Sequence, residues 1–415
     1  AEEFPTSTSA DWMLHTRLIN ANWRLGDEES AARLFAYGAM GSLPAELRND
    51  ALKALESWAE PGVVDPTIAR VLPVETKREE ISDLAKTELP KVFLSASGEV
   101  LATALRLAAA HGLEVDSKVL MARLTNLEAG NSVRIEALNV LKARNEAGLI
   151  EILEQLMEDP APEIRAASNQ ALLELEPEKG VVVALDRLRA ESHLDRQNAI
   201  ELLAPVEDLR VTAEFANAIE QATKMKYPFA ALLELLEAAE GRSDLSSQLE
   251  AYKASLDEAD PVSKFRECLE GGDIERGETL FATHAAGQCN KCHKIGPTGG
   301  IAGPDLSDMG KRGDKNYILT SLVSPSAHIV PGYGLTMAML KDGTSCGGNL
   351  LEETDDKIVI RVGENETREI SKSEILSMNP PMSAMPPMGI LLSKRELRDL
   401  VAFLEAQKAK PAAGH

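Results

Sequence analysis

One short template recurs along the first half of this 415-residue chain. Leu47-Arg48-x-x-Ala51-x-x-x-Leu55 returns as Val133-Arg134-x-x-Ala137-x-x-x-Leu141. Ile164-Arg165 with Ser168 and Leu172 follows it, as does Asp195-Arg196 with Ala199 and Leu203; Val100-Leu101 with Ala104 and Ala108 is a weaker copy. Arg134, Arg165 and Arg196 are each 31 residues apart. A helix carrying such a stripe cannot bury it alone and must stack on its neighbours, which predicts an α-solenoid over residues 1–268. Composition agrees: 44% of residues are hydrophobic but only 4% aromatic, so Leu, Ala, Ile and Val must fill the core, which favours packed helices over a sheet sandwich. Asp159-Pro160 would stop one helix before the next copy begins.

With small Ala at the helix crossing and Leu on the same face, the period resembles that of HEAT-type helical repeats; a generic helical bundle with chance similarity is the alternative. The repeat arginines are expected to cap helix ends or pair with acids between repeats. Trp12, Trp23 and Trp58 are expected core anchors. His15, His111 and His193 have no partner at metal-ligand spacing and read as ordinary helix residues. Around 256–273 the pattern loosens at Asp260-Pro261 and Gly271-Gly272, which sets an expected domain boundary at 268/269. A short amphipathic helix is then expected over Ile274–His284, with Ile274, Gly277, Leu280 and Phe281 on or near one face.

The chemistry lies beyond that boundary. Cys289-Asn290-Lys291-Cys292-His293 is a C-x-x-C-H stretch, the attachment signature of a c-type haem. The thiols add across the haem vinyl groups and the imidazole takes an axial position on iron. Zinc would need four ligands, and only the isolated Cys268 and Cys346 remain. A thioredoxin-like site would need βαβ surroundings that the sequence lacks. An axial histidine gives its second ring N–H to a carbonyl, and that of Pro304, in Gly303-Pro304-Asp305-Leu306, is the natural acceptor. Arg312 and Tyr317, the latter in a helix over 316–322, are candidates to meet the haem propionates; a surface arginine and a packed tyrosine are equally compatible readings.

Residues 334–376 change character. Leu335–Leu340 runs into Lys341-Asp342-Gly343-Thr344, a hairpin signal, and Ile358–Val362 and Thr367–Ile370 follow across Gly363-Glu364-Asn365-Glu366. This predicts a small antiparallel sheet inserted in the haem segment. Met378, Met382, Met385 and Met388 crowd the next stretch, where most methionines would be core filler. Met385, in the proline-bounded run Ser383-Ala384-Met385-Pro386-Pro387, is the expected second axial ligand, with Met388 and then Met382 as competitors. A last helix is expected from N-cap Ser393, with Glu396 at N3, to about Lys408. In a haem domain it would cross the helix of Gly277 and Phe281, with Gly277 allowing the close approach.

These motifs together resemble one family. Gly277, Phe281, Cys289-x-x-Cys292-His293, Gly303-Pro304-Asp305-Leu306, Ser324-Pro325-Ser326, Gly332-Tyr333, Asp342-Gly343, Ser383-Ala384-Met385-Pro386-Pro387 and Leu397…Leu400-Val401-Ala402-Phe403-Leu404 look like the PVC-type haem-binding C-x-x-C-H domain. That domain ends large planctomycete and verrucomicrobial proteins, and the likeness covers about residues 270–408. It implies a monohaem cytochrome c domain over 269–415, often preceded by HEAT-like repeats; Leu18-Ile19-Asn20-Ala21-Asn22-Trp23-Arg24-Leu25-Gly26 looks like the start of the family's repeat region. Longer relatives carry a β-propeller resembling sugar dehydrogenases, which this chain lacks. Cys268 and Cys346 fall outside the family pattern; a disulfide between them and two free thiols are both open.

The formal charge of −22 disfavours nucleic acid and anionic lipid as partners. It suits a basic or dipolar redox protein, or serves solubility alone. No apolar run is long enough to span a membrane. Residues 1–5 lack the features of a signal peptide, while haem attachment needs an exported compartment, so a processed chain or a piece of a longer one is expected, periplasmic or otherwise exported. The combined expectation is a mainly α protein. Its one covalent haem c, bound to Cys289, Cys292, His293 and Met385, would relay single electrons to a dehydrogenase or another cytochrome docked on the solenoid, or act as the cytochrome part of a larger dehydrogenase. Two other classes stay open: a gas-sensing or catalytic haem with an open distal site, and a solenoid binding module with an accessory haem.

Overall fold

The computed structural model describes residues 12–60, 78–363 and 366–408, together with two short strands, β1 (Val64–Asp65) and β2 (Arg70–Val71). The expectations for residues 1–5 and for the loop centre at Glu364-Asn365 lie outside the described residues. The chain is mainly helical with a small antiparallel sheet, and it divides into two compact units, Ala1–Val183 and Ala184–His415.

The first unit is built of α1 (Trp12–Leu25), α2 (Glu28–Ala39), α3 (Ala45–Glu56), α4 (Ser82–Phe93), α5 (Gly98–Ala110), α6 (Ser117–Thr125), α7 (Asn131–Ala143), α8 (Leu149–Leu156) and α9 (Pro162–Leu175). The division falls within α10 (Pro177–Arg187). The second unit adds α11 (His193–Leu203), α12 (Leu209–Thr223), α13 (Leu232–Glu240) and α14 (Ser246–Ala254).

The sequence template maps onto these helices in register. Its apolar and small positions are buried: Leu47, Ala51 and Leu55; Val133, Ala137 and Leu141; Ile164, Ser168 and Leu172; Ala199 and Leu203. Arg48, Arg134, Arg165 and Arg196 are each the fourth residue of their helix, in α3, α7, α9 and α11. Each guanidinium donates to a carbonyl at or just beyond the end of the preceding helix: Arg48 to Gly38 and Arg134 to Leu124, both at 2.9 Å, and Arg165 to Asp159 and Arg196 to Ala190, both at 2.6 Å. Last-turn carbonyls have no partner within their own helix and carry the negative end of its dipole, so a cation satisfies both needs. Arg134 also forms a buried ion pair with Asp159. The arginines are structural, as their spacing suggested.

Among the tryptophans, Trp23 and Trp58 are buried, with the Arg78 guanidinium 4.9 and 4.8 Å from their ring centres. Trp12 corrects the expectation: it opens α1 one turn before the first buried position, His15, and stays 47% exposed.

Beyond α14 the second unit continues through a 3-10 turn (Ser263–Cys268), α15 (Ile274–Thr283), α16 (Cys289–Cys292), β3 (Lys294–Ile295), β4 (Thr298–Gly299), α17 (Met309–Arg312) and α18 (Lys315–Val323). It ends in α19 (Lys394–Ala406), whose Ser393 and Glu396 make the expected capping box. Gly277 lets α15 and α19 meet: a Cβ there would lie 2.2 Å from the Asp399 carbonyl oxygen and 2.6 Å from Phe403 Cβ. Gly277 and Phe281 are buried as expected, but Ile274, in the first turn of α15, is exposed.

Bonds of α19 also reach back to α11 and α13. Arg398 forms a buried pair with Glu234 at 2.7 Å, and Arg395 meets Glu201 and Glu237 at 2.7 and 2.6 Å. Gln197 donates to the carbonyls of Ala230 and Gly271 at 2.6 and 3.0 Å. The expected boundary at 268/269 therefore marks a change in the character of the chain, while helices from 184 onward share a compact unit with the C-terminal segment.

The inserted sheet is β5 (Gly334–Leu340), β6 (Ser345–Glu353), β7 (Lys357–Arg361), β8 (Thr367–Ser371), β9 (Ile375–Met378) and β10 (Met382–Ser383), in the order β10-β5-β6-β7-β8 with β9 also on β5. The Asp342-Gly343 turn closes β5 on β6, with Gly343 at φ 87° and the Asp342 carboxylate accepting the Thr344 N–H at 2.9 Å. Ala338, Leu340, Cys346, Ile358, Ile360 and Ile370 form the core of the sheet. It runs past residue 376, drawing Met378 and Met382 into strands. Cys268 and Cys346 lie in separate cores and are both free, so no disulfide joins them. Cys268 lies against the Lys394 carbonyl at 3.3 Å, and burial pushes its thiol pKa up, with Glu267 adding to the rise.

Candidate functional site

One cleft in the second unit gathers Cys289, Cys292, His293, Pro304, Arg312, Tyr317 and Met385, all of which line it. Its empty space, including the open mouth, is about 1330 Å³. Phe281 of α15, Ile318 and Leu322 of α18, and Leu400 and Leu404 of α19 supply an apolar floor. This is a mostly apolar concavity with a few polar groups, the usual build of a cofactor site.

The cysteines enter from a folded lead-in. His284 follows α15; its Nδ1 accepts the Gly287 N–H at 2.9 Å, so the other ring nitrogen carries the proton and meets Glu396 of the capping box at 3.2 Å. Gln288 turns the chain at φ 44° into the one-turn helix α16. Cys289 is half-buried and Cys292 exposed, both as free thiols. Burial pushes the Cys289 pKa up, which keeps that thiol neutral.

His293 is oriented from behind. Its Nδ1 lies 2.9 Å from the Pro304 carbonyl oxygen. A carbonyl can only accept, so Nδ1 carries the proton and the Nε2 lone pair is left bare. Burial holds the imidazole below its usual pKa; the Pro304 bond opposes this and the Arg312 charge adds to it. The ring is thus neutral near pH 7, as a metal ligand must be. The loop that brings Pro304 round is fastened by backbone bonds from Gly303 to Cys292 and from Leu306 to Lys294, both 2.8 Å. Gly303 lies flat against the ring: a Cβ there would be 2.6 Å from His293 Cε1.

Arg312 forms an ion pair with Asp308 at 2.6 Å and also donates to the Asp305 carbonyl. Tyr317 stacks on His328, with ring centres 5.1 Å apart and planes 22° from parallel. Of the four methionines, Met385 and Met388 line the cleft. Met388 is buried in the surrounding core, whereas Met385 is half-buried, its N–H held by Ser383 at 3.1 Å. Met382 is 60% exposed on β10, and Met378 packs against the sheet core.

Sequence reading missed His284 and His328. Both flank the C-x-x-C-H stretch, and neither spacing matched a ligand pattern. Their roles come from contacts with Glu396, 112 residues on from His284, and with Tyr317. Among the described residues no cluster of three His, Cys, Asp or Glu side chains could hold a metal ion by itself. His15 is buried against Tyr37, and His111 bonds Ser82 at 3.0 Å. No helix among the described residues is long and apolar enough to cross a membrane. No family model matches the chain, and no curated protein sequence does.

Proposed function

We propose that the cleft holds one haem c and that the protein is a monohaem cytochrome relaying single electrons. The observation that carries this reading is the pairing of a C-x-x-C-H helix with His293, whose Nδ1 is engaged by Pro304 and whose Nε2 is bare, in one cleft with Met385. Cys289 and Cys292 would hold the group by thioether bonds, His293 would be the proximal ligand and Met385 the distal one. A haem bound there supplies a one-electron iron couple. The chain's own residues do the rest. Pro304 fixes the proximal ring and raises its basicity. Arg312, Tyr317 and His328 offer polar ends at the cleft, and the apolar floor lowers the local dielectric. Met385 as the second ligand would raise the potential of such a group relative to a second histidine.

The resemblance to PVC-type cytochrome domains and HEAT-like repeats supports the same reading. In it the helical repeats dock a partner, a dehydrogenase or another cytochrome, in an exported compartment. The test is the optical spectrum of the oxidised protein. A weak near-red Met–iron band and no rapid carbon monoxide binding by the reduced form are expected. Rapid carbon monoxide binding without that band would replace the relay by a haem with an open distal site.

A further inference from the structure

The inserted sheet has one face that the rest of the chain leaves bare. β5 alternates strictly: Thr336, Ala338 and Leu340 are buried, while Leu335, Met337 and Met339 stay 42, 56 and 49% exposed. Residues paired across a sheet share a face. Met382 pairs with Leu335 and is 60% exposed, so it joins them. Their partners in β6 are Asn349, Gly347 and Ser345, and Met339 faces Ser377 in β9. None of these positions carries a charge, in a chain where 27% of residues do. Charge returns at the margins. Lys357 and Arg361 stand on β7 and Glu369 on β8, with Lys357 and Glu369 paired at 2.8 Å. Lys341 and Asp342 sit in the hairpin turn, where the Lys341 N–H bonds the Glu374 carbonyl.

Such a face suits its own copy. Two chains of formal charge −22 repel wherever their acids meet. Laying this face on itself buries no charge, and burying unpaired charge is the heaviest cost of a contact. The face also has relief. Gly347 leaves a dimple beside Met337: a Cβ there would meet only Met337 Cε at 3.6 Å and the Thr336 carbonyl oxygen at 3.7 Å. An unbranched, flexible methionine fills such a gap well. A two-fold axis sets the patch opposite itself, so each copy supplies both the methionines and the dimple. Size sets the strength. Seven residues of β5 by three strands cover roughly 340 Å². That is less than half of the ~800 Å² per partner of a standard interface.

We propose that the face of Leu335, Met337, Met339 and Met382 is a self-association surface, on which a second copy of this chain docks face to face as a weak, rapidly exchanging dimer. The proposal stands whether or not the cleft holds haem.

Sedimentation equilibrium of the full-length protein, from micromolar to near-millimolar concentration, tests it. The weight-average mass should climb above the 44.8 kDa of one chain. The climb should be steeper at high salt, because screening removes the repulsion between two acidic copies and leaves the apolar contact. Met337→Glu adds a charge to each side of the contact and should weaken association about tenfold or more. Leu94→Glu, at the 89% exposed end of α4, should leave it unchanged. A mass that stays at 44.8 kDa throughout overturns the proposal and leaves the face to a different protein. A dimer indifferent to Met337→Glu overturns it too. Isotope-labelled methionine methyls in the wild type keep the test independent of how that variant folds. The signals of Met337, Met339 and Met382 should move with concentration, and those of the buried Met309 and Met388 should not. Exposed methyls that stay fixed overturn the proposal.

Discussion

Gly303→Ala is the smallest change that should unseat His293. The new methyl carbon would lie 2.6, 2.8 and 3.0 Å from His293 Cε1, Nδ1 and Nε2. Carbon contacts are ordinarily about 3.5–4.0 Å. The loop cannot retreat without stretching the 2.8 Å bond from its N–H to the Cys292 carbonyl. The ring must therefore tilt, which bends or breaks the 2.9 Å bond to Pro304. Overpacking costs about 1–3 kcal/mol and a lost hydrogen bond about 1, together about 2–4 kcal/mol. On the proposed haem-bound form the assay is urea unfolding followed at the haem absorbance, which would report on the second unit, together with the near-red band. A lower midpoint and a weakened band are expected. An unchanged midpoint and spectrum would refute the idea that Gly303 exists to admit the ring.

The other predictions concern the distal side, the fold and pH. Met385→Ala should abolish the near-red band and admit carbon monoxide. Met388→Leu, which nearly conserves volume, should keep the band and cost less than about 1.5 kcal/mol of stability. Arg398→Met should destabilise the second unit by about 3–5 kcal/mol by stranding the buried Glu234, and R398M/E234L should recover much of that in chemical denaturation. In the chain without haem, His293 has a folded pKa below its unfolded value of about 6.5, so the unfolded state binds more protons. Stability should then be complete above about pH 6.5 and be lost as pH falls below it. Pairwise unfolding curves of wild type and His293→Asn across that window should differ in slope; parallel curves would show that the ring is not held neutral.

Local pattern carried a large share of this architecture. The repeated Arg-x-x-Ala template marked helix starts because it encodes both a buried stripe and the cation that satisfies the preceding helix's carbonyls, as with Arg134 and Leu124. The capping box at Ser393 and the Asp342-Gly343 turn were legible for the same reason: each depends on a few neighbouring residues. The Gly277 crossing, a contact with Asp399 and Phe403 of α19, was expected only because a haem domain was. Long-range pairings of single side chains were not legible. Nothing near Arg398 announces Glu234, and nothing near His284 announces Glu396, so the tie between α13 and the C-terminal segment was invisible until the chain was folded. The exposure of Trp12 and the extension of the sheet to Met382 depend on what covers or pairs a segment, which periodicity does not state. Met385 and Met388 could be ranked by their prolines but separated only by burial.

The central claim is covalent attachment of one haem at Cys289 and Cys292. The most direct measurement is the mass and absorption spectrum of the full-length protein matured in an exported compartment, taken before and after acid denaturation. The account predicts one haem per chain that stays with the polypeptide after denaturation and is absent from the C289S/C292S variant. A colourless protein, or a haem that acid extracts from the chain, would contradict it.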